Sequence, residues 1–258
     1  LKVPNWFLKR IVCTTSREGN IFNILANLRL ILVEKMLEVL EWFFHLRLSI
    51  YLRRNLTQPS EGDFVFDVGA NKGATSKIFL RLFPGINIIA FEPLPIFKVK
   101  SLKVEWIQKA LAKTSGFADF YVCAHSPSST LSLPSLESSW LQLKSKVLGI
   151  NPDSLYEKIS IDISTLDDIV ARKRVGSIFL LKIDTEGTEL EVLQGGLKSL
   201  SRGTIKNIQL ESHSNDLRQN DREQIVNLLS SYNFVHKKTL KHYFGSFSEE
   251  IFTLNKNG

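Results

Sequence analysis

The chain has 258 residues, room for one α/β domain plus an appendage, and it can bury a large core. Its 43% apolar and 23% charged residues are ordinary for a soluble globular protein, and the net charge of +7 is spread over lysines and arginines in twos and threes, as on a solvated surface. No RNA-recognition, zinc-finger or basic-zipper pattern accompanies those charges, so no nucleic-acid partner is expected.

The chain begins at Leu1 rather than methionine, which fits a fragment or a processed form, and no signal peptide is readable at this start. Cys13 and Cys123 lie far apart, which argues against a disulfide framework or a cysteine-based zinc site and fits a reducing, cytoplasmic compartment. Residues 1–60 read as an N-terminal helical extension. From Ile21 to Leu52 a narrow polar stripe (Glu34, Glu38, Glu41, His45, Ser49) runs along an otherwise apolar helix. Charges interrupt it too often for a membrane span. Three burial routes fit it: packing on the domain that follows, pairing with a second copy in a homo-oligomer, or peripheral contact with a membrane. The acidic stripe disfavours anionic lipid.

Asn55–Gly62 is a turn-rich connector, and residues 61–258 then alternate strand and helix. Strands are expected at Phe64–Asp67, Asn87–Phe91, Val104–Ala110, Ile178–Asp184 and Ile205–Glu211. Helices are expected at Ala74–Phe83, Leu166–Arg172, Glu189–Gly195 and Asp221–Ser230. Phe117–Cys123 reads as an added strand, Ser126–Ser139 as a serine-rich loop flanking the site, and Ile159–Ile163 as a further strand. Phe234–Lys237 and Glu250–Leu254 form a C-terminal antiparallel pair. The fold class is α/β: a Rossmann-like, doubly wound, mostly parallel sheet.

The run Phe64-Val-Phe-Asp-Val-Gly-Ala-Asn-Lys-Gly73 describes a buried strand that ends in an acid and turns through glycines into a helix, the device by which such sheets make a nucleotide-sized pocket. Gly69 permits the tight turn and Gly73 the close helix start, and free N–H groups there favour a polar ligand. The carboxylate of Asp67 would repel a pyrophosphate but attract a sulfonium, which favours S-adenosylmethionine over NAD. Glu92, 25 positions after Asp67 (92 − 67), stands where a carboxylate can accept both hydroxyls of a ribose. With Asp184 and Glu211, four acids fall at the ends of four strands. Lys182 shares a strand face with Asp184 and is costly in a central strand unless it bonds Asp184, Asp67 or Glu211.

These motifs, together with Phe91-Glu92-Pro93, Ser164-Thr-Leu-Asp-Asp168, Leu181-Lys-Ile-Asp-Thr-Glu-Gly187 and Glu189-Leu-Glu-Val-Leu-Gln-Gly-Gly196, stand in order with familiar spacing. In combination, over about residues 62–255, they resemble the FkbM-type methyltransferases; Thr185 stands where that family often has valine. The resemblance implies S-adenosylmethionine-dependent O-methylation of a sugar, glycan or small-metabolite hydroxyl. It implies that Asp67, Gly69, Ala70, Asn71 and Gly73 line the methionine half of the cofactor, that Glu92 holds the ribose, and that Ala110 and Leu111 lie against adenine.

Methyl transfer needs an aligned acceptor oxygen and a base for its proton. Asp184 is expected to organise the centre electrostatically and Glu186 to act as base. His213 is the rival base, and His125 and the serine-rich loop are placed to touch the acceptor. Asp184, Glu186 and Glu211 could hold magnesium, but no dedicated ligand spacing is present and no metal is expected. A dinucleotide-dependent oxidoreductase would want a glycine where Asn71 stands. The remaining alternative is a non-catalytic interaction protein using the apolar N-terminal helix.

Overall fold

The computed structural model describes residues 39–40, 42–95, 101, 103–123, 129–133, 155–213, 219–242 and 247–255, with His213, Gln219 and Asn220 described by their backbone alone. The chain forms two compact units, residues 1–48 and 49–258. Residues 42–55 are helical (α1), extending three residues past the expected end at Leu52; the expected stretch from Ile21 to residue 38 and Cys13 lie outside the described residues. Phe44, Leu48 and Leu52 are buried at four-residue steps, whereas Trp42, Phe43, Leu46 and Ile50 are exposed. Among the described residues, no helix is long and apolar enough to cross a membrane.

Among the described residues ten strands follow: β1 (Phe64–Val68), β2 (Asn87–Phe91), β3 (Val104–Ile107), β4 (Ala110–Leu111), β5 (Gly116–Cys123), β6 (Tyr156–Ser164), β7 (Ile178–Ile183), β8 (Ile205–His213), β9 (Phe234–Lys241) and β10 (Phe247–Leu254). Seven of them make one sheet in the order β3-β2-β1-β7-β8-β10-β9. Only β10 runs against the rest, pairing antiparallel with β8 and β9. The expected doubly wound sheet with its C-terminal antiparallel pair is therefore present, and both members of that pair are longer than their patterns indicated. The strand order reverses at β1, with β2 on one side and β7 on the other. That is the point at which such sheets open a crevice at their carboxyl edge.

Every residue of β7 is buried. A strand covered on both faces reads as a continuous apolar run, here Ile-Phe-Leu-Leu-Lys-Ile, broken only by Lys182. Phe66, Val68, Phe91, Leu181, Ile183 and Ile208 belong to one core, with the Phe66 and Phe91 rings 5.4 Å apart.

A second, three-stranded sheet, β4-β6-β5, contains the strands expected over Phe117–Cys123 and Ile159–Ile163; their pairing, and the addition of β4, carried no signal in the sequence. The strand expected over Val104–Ala110 is in fact two. β3 stops at Ile107, and Ala110 and Leu111 pair with Ile163 and Ser164 of β6 instead. Lys109, between them, bonds Asp162 of β6 at 2.6 Å and holds the crossing.

Helix α2 (Ala74–Leu82) stops before Pro84-Gly85, as the pattern indicated. Helix α3 (Leu166–Lys173) begins at Thr165, whose side chain accepts from the Asp168 N–H, and carries Asp167 and Asp168 in its first turn and Arg172 and Lys173 in its last. The single helix expected over Glu189–Gly195 is followed at once by another: α4 (Glu189–Gln194) and α5 (Leu197–Ser201). They are separated by Gly195-Gly196, where a Cβ on Gly195 would stand 2.2 Å from the Ala112 carbonyl oxygen. Helix α6 (Gln219–Ser231) precedes β9.

Asp167 closes the start of α5 from a distance. Its carboxylate accepts from the N–H groups of Lys198 (2.9 Å) and Ser199 (2.8 Å) and from the Ser199 hydroxyl (2.6 Å). Asp167→Ala is expected to cost about 1–2 kcal/mol, the usual loss of a helix cap, measured by urea unfolding. An unchanged midpoint would show that these bonds contribute nothing.

Candidate functional site

The turn after β1 is held from two directions. The N–H groups of Gly69 and Ala70 both donate to the Phe91 carbonyl (3.1 and 3.0 Å), and the Asn71 N–H donates to Glu92 (3.0 Å). These bonds tie the turn to the end of β2. Asn71 and Gly73 adopt left-handed backbone angles (φ 46° and 79°), and α2 starts at Gly73. Gly69 (φ 73°) faces the end of β7 so closely that a Cβ would lie 1.8 Å from the Asp184 carbonyl oxygen. No other residue fits there, because both the backbone angle and the space exclude a side chain.

Asp67 is completely buried. One carboxylate oxygen accepts from the Ser76 hydroxyl at 2.6 Å, and the other lies 3.4 Å from Lys182 Nζ. Lys182, 3% exposed, also reaches Asp184 Oδ2 at 3.1 Å and the Gly69 carbonyl at 3.3 Å. The sequence expectation that Lys182 bonds Asp184 and Asp67 is met. Burial alone would push the Lys182 ammonium to lose its proton. The charges of Asp184, Asp67 and Glu249 outweigh that and hold its pKa above the ordinary lysine value. Gln209, opposite Lys182 on β8, extends this buried polar row by donating to Glu249 of β10 at 3.2 Å.

Above this row sits the acid edge. The carboxylate atoms of Asp184, Glu186 and Glu211 all lie within 4.8 Å of one another. Burial, and after it the charges of Asp184, Glu186 and Glu249, raise the Glu211 pKa well above the usual carboxylate range. Glu186 adopts φ 58°, uncommon for a residue with a side chain. Its turn is fixed from both sides. Glu189 Oε1 accepts from the Thr185 N–H, the Thr185 hydroxyl and the Gly187 N–H, at 3.0–3.1 Å, and the buried Thr130 hydroxyl donates to the Glu186 carbonyl at 3.1 Å. Thr130 bridges to Tyr121 of β5, so part of the serine-rich segment reaches the edge.

The structure therefore brings Asp67, Gly69, Ala70, Asn71, Gly73, Glu92, Asp184 and Glu186 to one edge, at the ends of β1, β2 and β7. Asp67 turns away from any ligand toward Lys182 and Ser76, because a fully buried carboxylate needs partners inside. Leu111 lies in the core cluster, so its side chain packs rather than faces outward, and Ala110 is likewise buried. The His213 side chain, His125 and residues 126–128 and 134–139 of the serine-rich loop lie outside the described residues. Sequence reasoning missed Ser76, Thr130, Glu189 and Gln209. The signal for Glu189 was readable, an acid two residues after Gly187 at a helix start; Ser76 and Thr130 carry none.

The edge fits S-adenosylmethionine. Each Glu92 oxygen accepts one backbone N–H (Asn71 and Leu94, both 3.0 Å), which fixes the carboxylate at the end of β2, while Gly69 leaves the turn without side-chain bulk.

Comparison with known proteins agrees. Residues 67–236 match the methyltransferase FkbM domain. The chain belongs to the FkbM methyltransferase family. It is a methyltransferase dependent on S-adenosylmethionine. It is 28% identical over 189 residues to a 31-O-demethyl-FK506 methyltransferase FkbM of Streptomyces tacrolimicus, covering 64% of this chain and 71% of that one. It is 27% identical over 154 residues to the methyltransferase sdnD of Sordaria araneosa (51% and 60%), and 24% identical over 145 residues to the 2-O-methyltransferase NoeI of Sinorhizobium fredii (54% and 59%). Among solved structures, a precorrin-6y C5,15-methyltransferase from Geobacter metallireducens aligns at 12% identity with a TM-score of 0.40, over 81% of this chain and 86% of that one.

Lys182→Met removes the cation from between two carboxylates. Urea unfolding at pH 7 is expected to show a loss of about 3–5 kcal/mol, part of it recovered by adding Asp67→Asn. A loss under 1 kcal/mol would mean that the ion pairs are dispensable.

Proposed function

We propose that this FkbM-family enzyme O-methylates an uncharged hydroxyl of a sugar, glycan or small metabolite, using the edge formed by the ends of β2, β1, β7 and β8. The observation that carries the reading is the alignment of a glycine turn and Glu92 on one side of the switch point with Asp184, Glu186 and Glu211 on the other. Two of the relatives are O-methyltransferases by name, which supports oxygen as the acceptor atom. The acid edge also favours a neutral acceptor, since a phosphate or carboxylate would be repelled by it.

In this reading, Glu92 takes the ribose hydroxyls of the cofactor. Gly69, Ala70, Asn71 and Gly73 pass their backbone along its methionine half, and Ala110 and Leu111 contact adenine through backbone groups. When bound, the cofactor supplies a sulfonium methyl whose bonding pair stays on sulfur as the methyl departs. The chain's own part is alignment, exclusion of water and removal of the acceptor's proton. Asp184, fixed by Lys182, sets the charge at the centre. Glu186, held rigid by Thr130 and Glu189, faces the acceptor, and His213 stands beyond Glu211 on β8. Buried, free Cys123 is in keeping with a cytoplasmic location.

Calorimetric titration with S-adenosylhomocysteine and with NADH tests the cofactor half. We expect one S-adenosylhomocysteine site and no NADH binding. Glu92→Ala should weaken the former by about 1–3 kcal/mol, as for a lost charged hydrogen bond. Binding to NADH alone would contradict the proposal. A tritium-transfer screen against cell-envelope glycans and hydroxylated metabolites tests the acceptor half. Label recovered only in phosphorylated or carboxylated products would contradict a neutral acceptor.

A further inference from the structure

We infer that the exposed face of helix α1 docks on a bilayer surface of anionic glycerophospholipid. The inference concerns a stretch that the methyltransferase edge does not use, and it stands whatever the acceptor is.

The argument begins with helix geometry. Successive residues turn by about 100°, so positions three and four apart line one side. Phe44, Leu48 and Leu52 make a buried row. Trp42, Phe43, Leu46 and Ile50 make a second row on the other side, and they are 43–58% exposed. A single exposed apolar residue is ordinary. Four large ones in one stripe, two of them aromatic, mark an interaction surface.

Charge decides what the surface meets. From Trp42 to Ser60 the chain holds Arg47, Arg53 and Arg54 and no acid. Every exposed residue from Trp42 to Arg54 is either apolar or one of these arginines. Counted round the helix, Arg53 lies about 20° from Leu46, Arg54 about 80° and Arg47 about 100°, whereas the buried row lies about 160–240° away. The cations therefore flank the exposed stripe. His45 and Ser49, the described members of the polar stripe, are half-buried. At those members the stripe that counted against anionic lipid is not the face shown to solvent.

A second copy would bring the same arginines to the contact and, from this stretch, no acid to answer them. Lipid phosphates answer all three. Aromatic and aliphatic side chains enter the boundary between headgroups and acyl chains, while arginine stems run along apolar surface and keep their guanidinium groups at the phosphates. Among the described residues no helix is long and apolar enough to cross a membrane, so α1 lies in the plane of the surface.

The test is cosedimentation of the full chain with two kinds of vesicle, phosphatidylglycerol mixed with phosphatidylcholine, and phosphatidylcholine alone. We expect binding to the mixed vesicles that weakens as salt is raised, and binding to phosphatidylcholine alone that is at least tenfold weaker. Arg53→Gln with Arg54→Gln should weaken binding to the mixed vesicles about 25-fold, at about fivefold for each arginine near an anionic surface. Trp42→Ser with Leu46→Ser should weaken it at least tenfold. Both pairs should keep the wild-type melting temperature and S-adenosylhomocysteine affinity, since the four residues are exposed. Tryptophan emission should move to the blue on adding mixed vesicles, and Trp42→Phe should abolish the shift.

No binding to the mixed vesicles overturns the inference. So does binding that the arginine pair leaves intact, which would put the contact elsewhere on this chain of net charge +7. Binding that the Trp42 and Leu46 pair leaves intact overturns it too, as for a stripe covered by the residues before it. Equilibrium sedimentation without lipid tests the rival occupant. A dimer that Trp42→Ser with Leu46→Ser dissociates, in a chain that binds no vesicles, would assign the face to a second copy instead.

Discussion

A lysine in the middle of a parallel sheet governs this edge. Lys182 is the one charged residue of a strand otherwise wholly apolar, and it is buried. An ammonium there is tolerated only if anions surround it. Asp67 on β1 and Asp184 beyond β7 supply them, and the Gly69 carbonyl completes the shell. The requirement to neutralise one cation thus fixes the end of β1, the turn that follows it and the end of β7 relative to one another. The tight fit of Gly69 under the Asp184 carbonyl expresses the same constraint in the backbone. Cofactor turn and acceptor edge are on this account one rigid piece.

That arrangement changes the meaning of the acids. Four carboxylates at four strand ends look, in sequence, like a uniform negative rim for a sulfonium. In the fold they divide by partner. Asp67 is spent on Lys182 and Ser76, and Glu92 anchors the turn. Asp184 is paired with Lys182, and Glu211 stands in acid company that raises its pKa. The attraction for a cationic donor comes from what Lys182 leaves over.

The main sheet was legible because its signals are local. Phe64–Val68 and Ile178–Ile183 are short apolar runs bounded by glycine turns, and their terminal acids mark the carboxyl edge. Strand alternation alone placed Lys182 beside Asp184, and the cost of a buried charge supplied its partners. Two strands of the second sheet, β5 and β6, were legible too, but not their pairing or the short strand that joins them. β4 is two residues long, and what peels it from β3 is the Lys109–Asp162 pair, 53 positions apart in sequence. The contact of Thr130 with Glu186, across 56 positions, is equally silent in a linear reading. Asp167 had a visible role as a first-turn acid of its own helix, yet it caps the start of a different one. Each of these failures is long-range pairing overriding a local pattern.

Amide hydrogen exchange with and without S-adenosylhomocysteine tests most directly whether the glycine turn and the acid edge act as one piece. The account predicts that the ligand slows exchange at residues 68–73 and, together with them, at 184–187, and that Lys182→Met confines the slowing to the first segment. Slowing at 68–73 alone in the wild-type protein would contradict it.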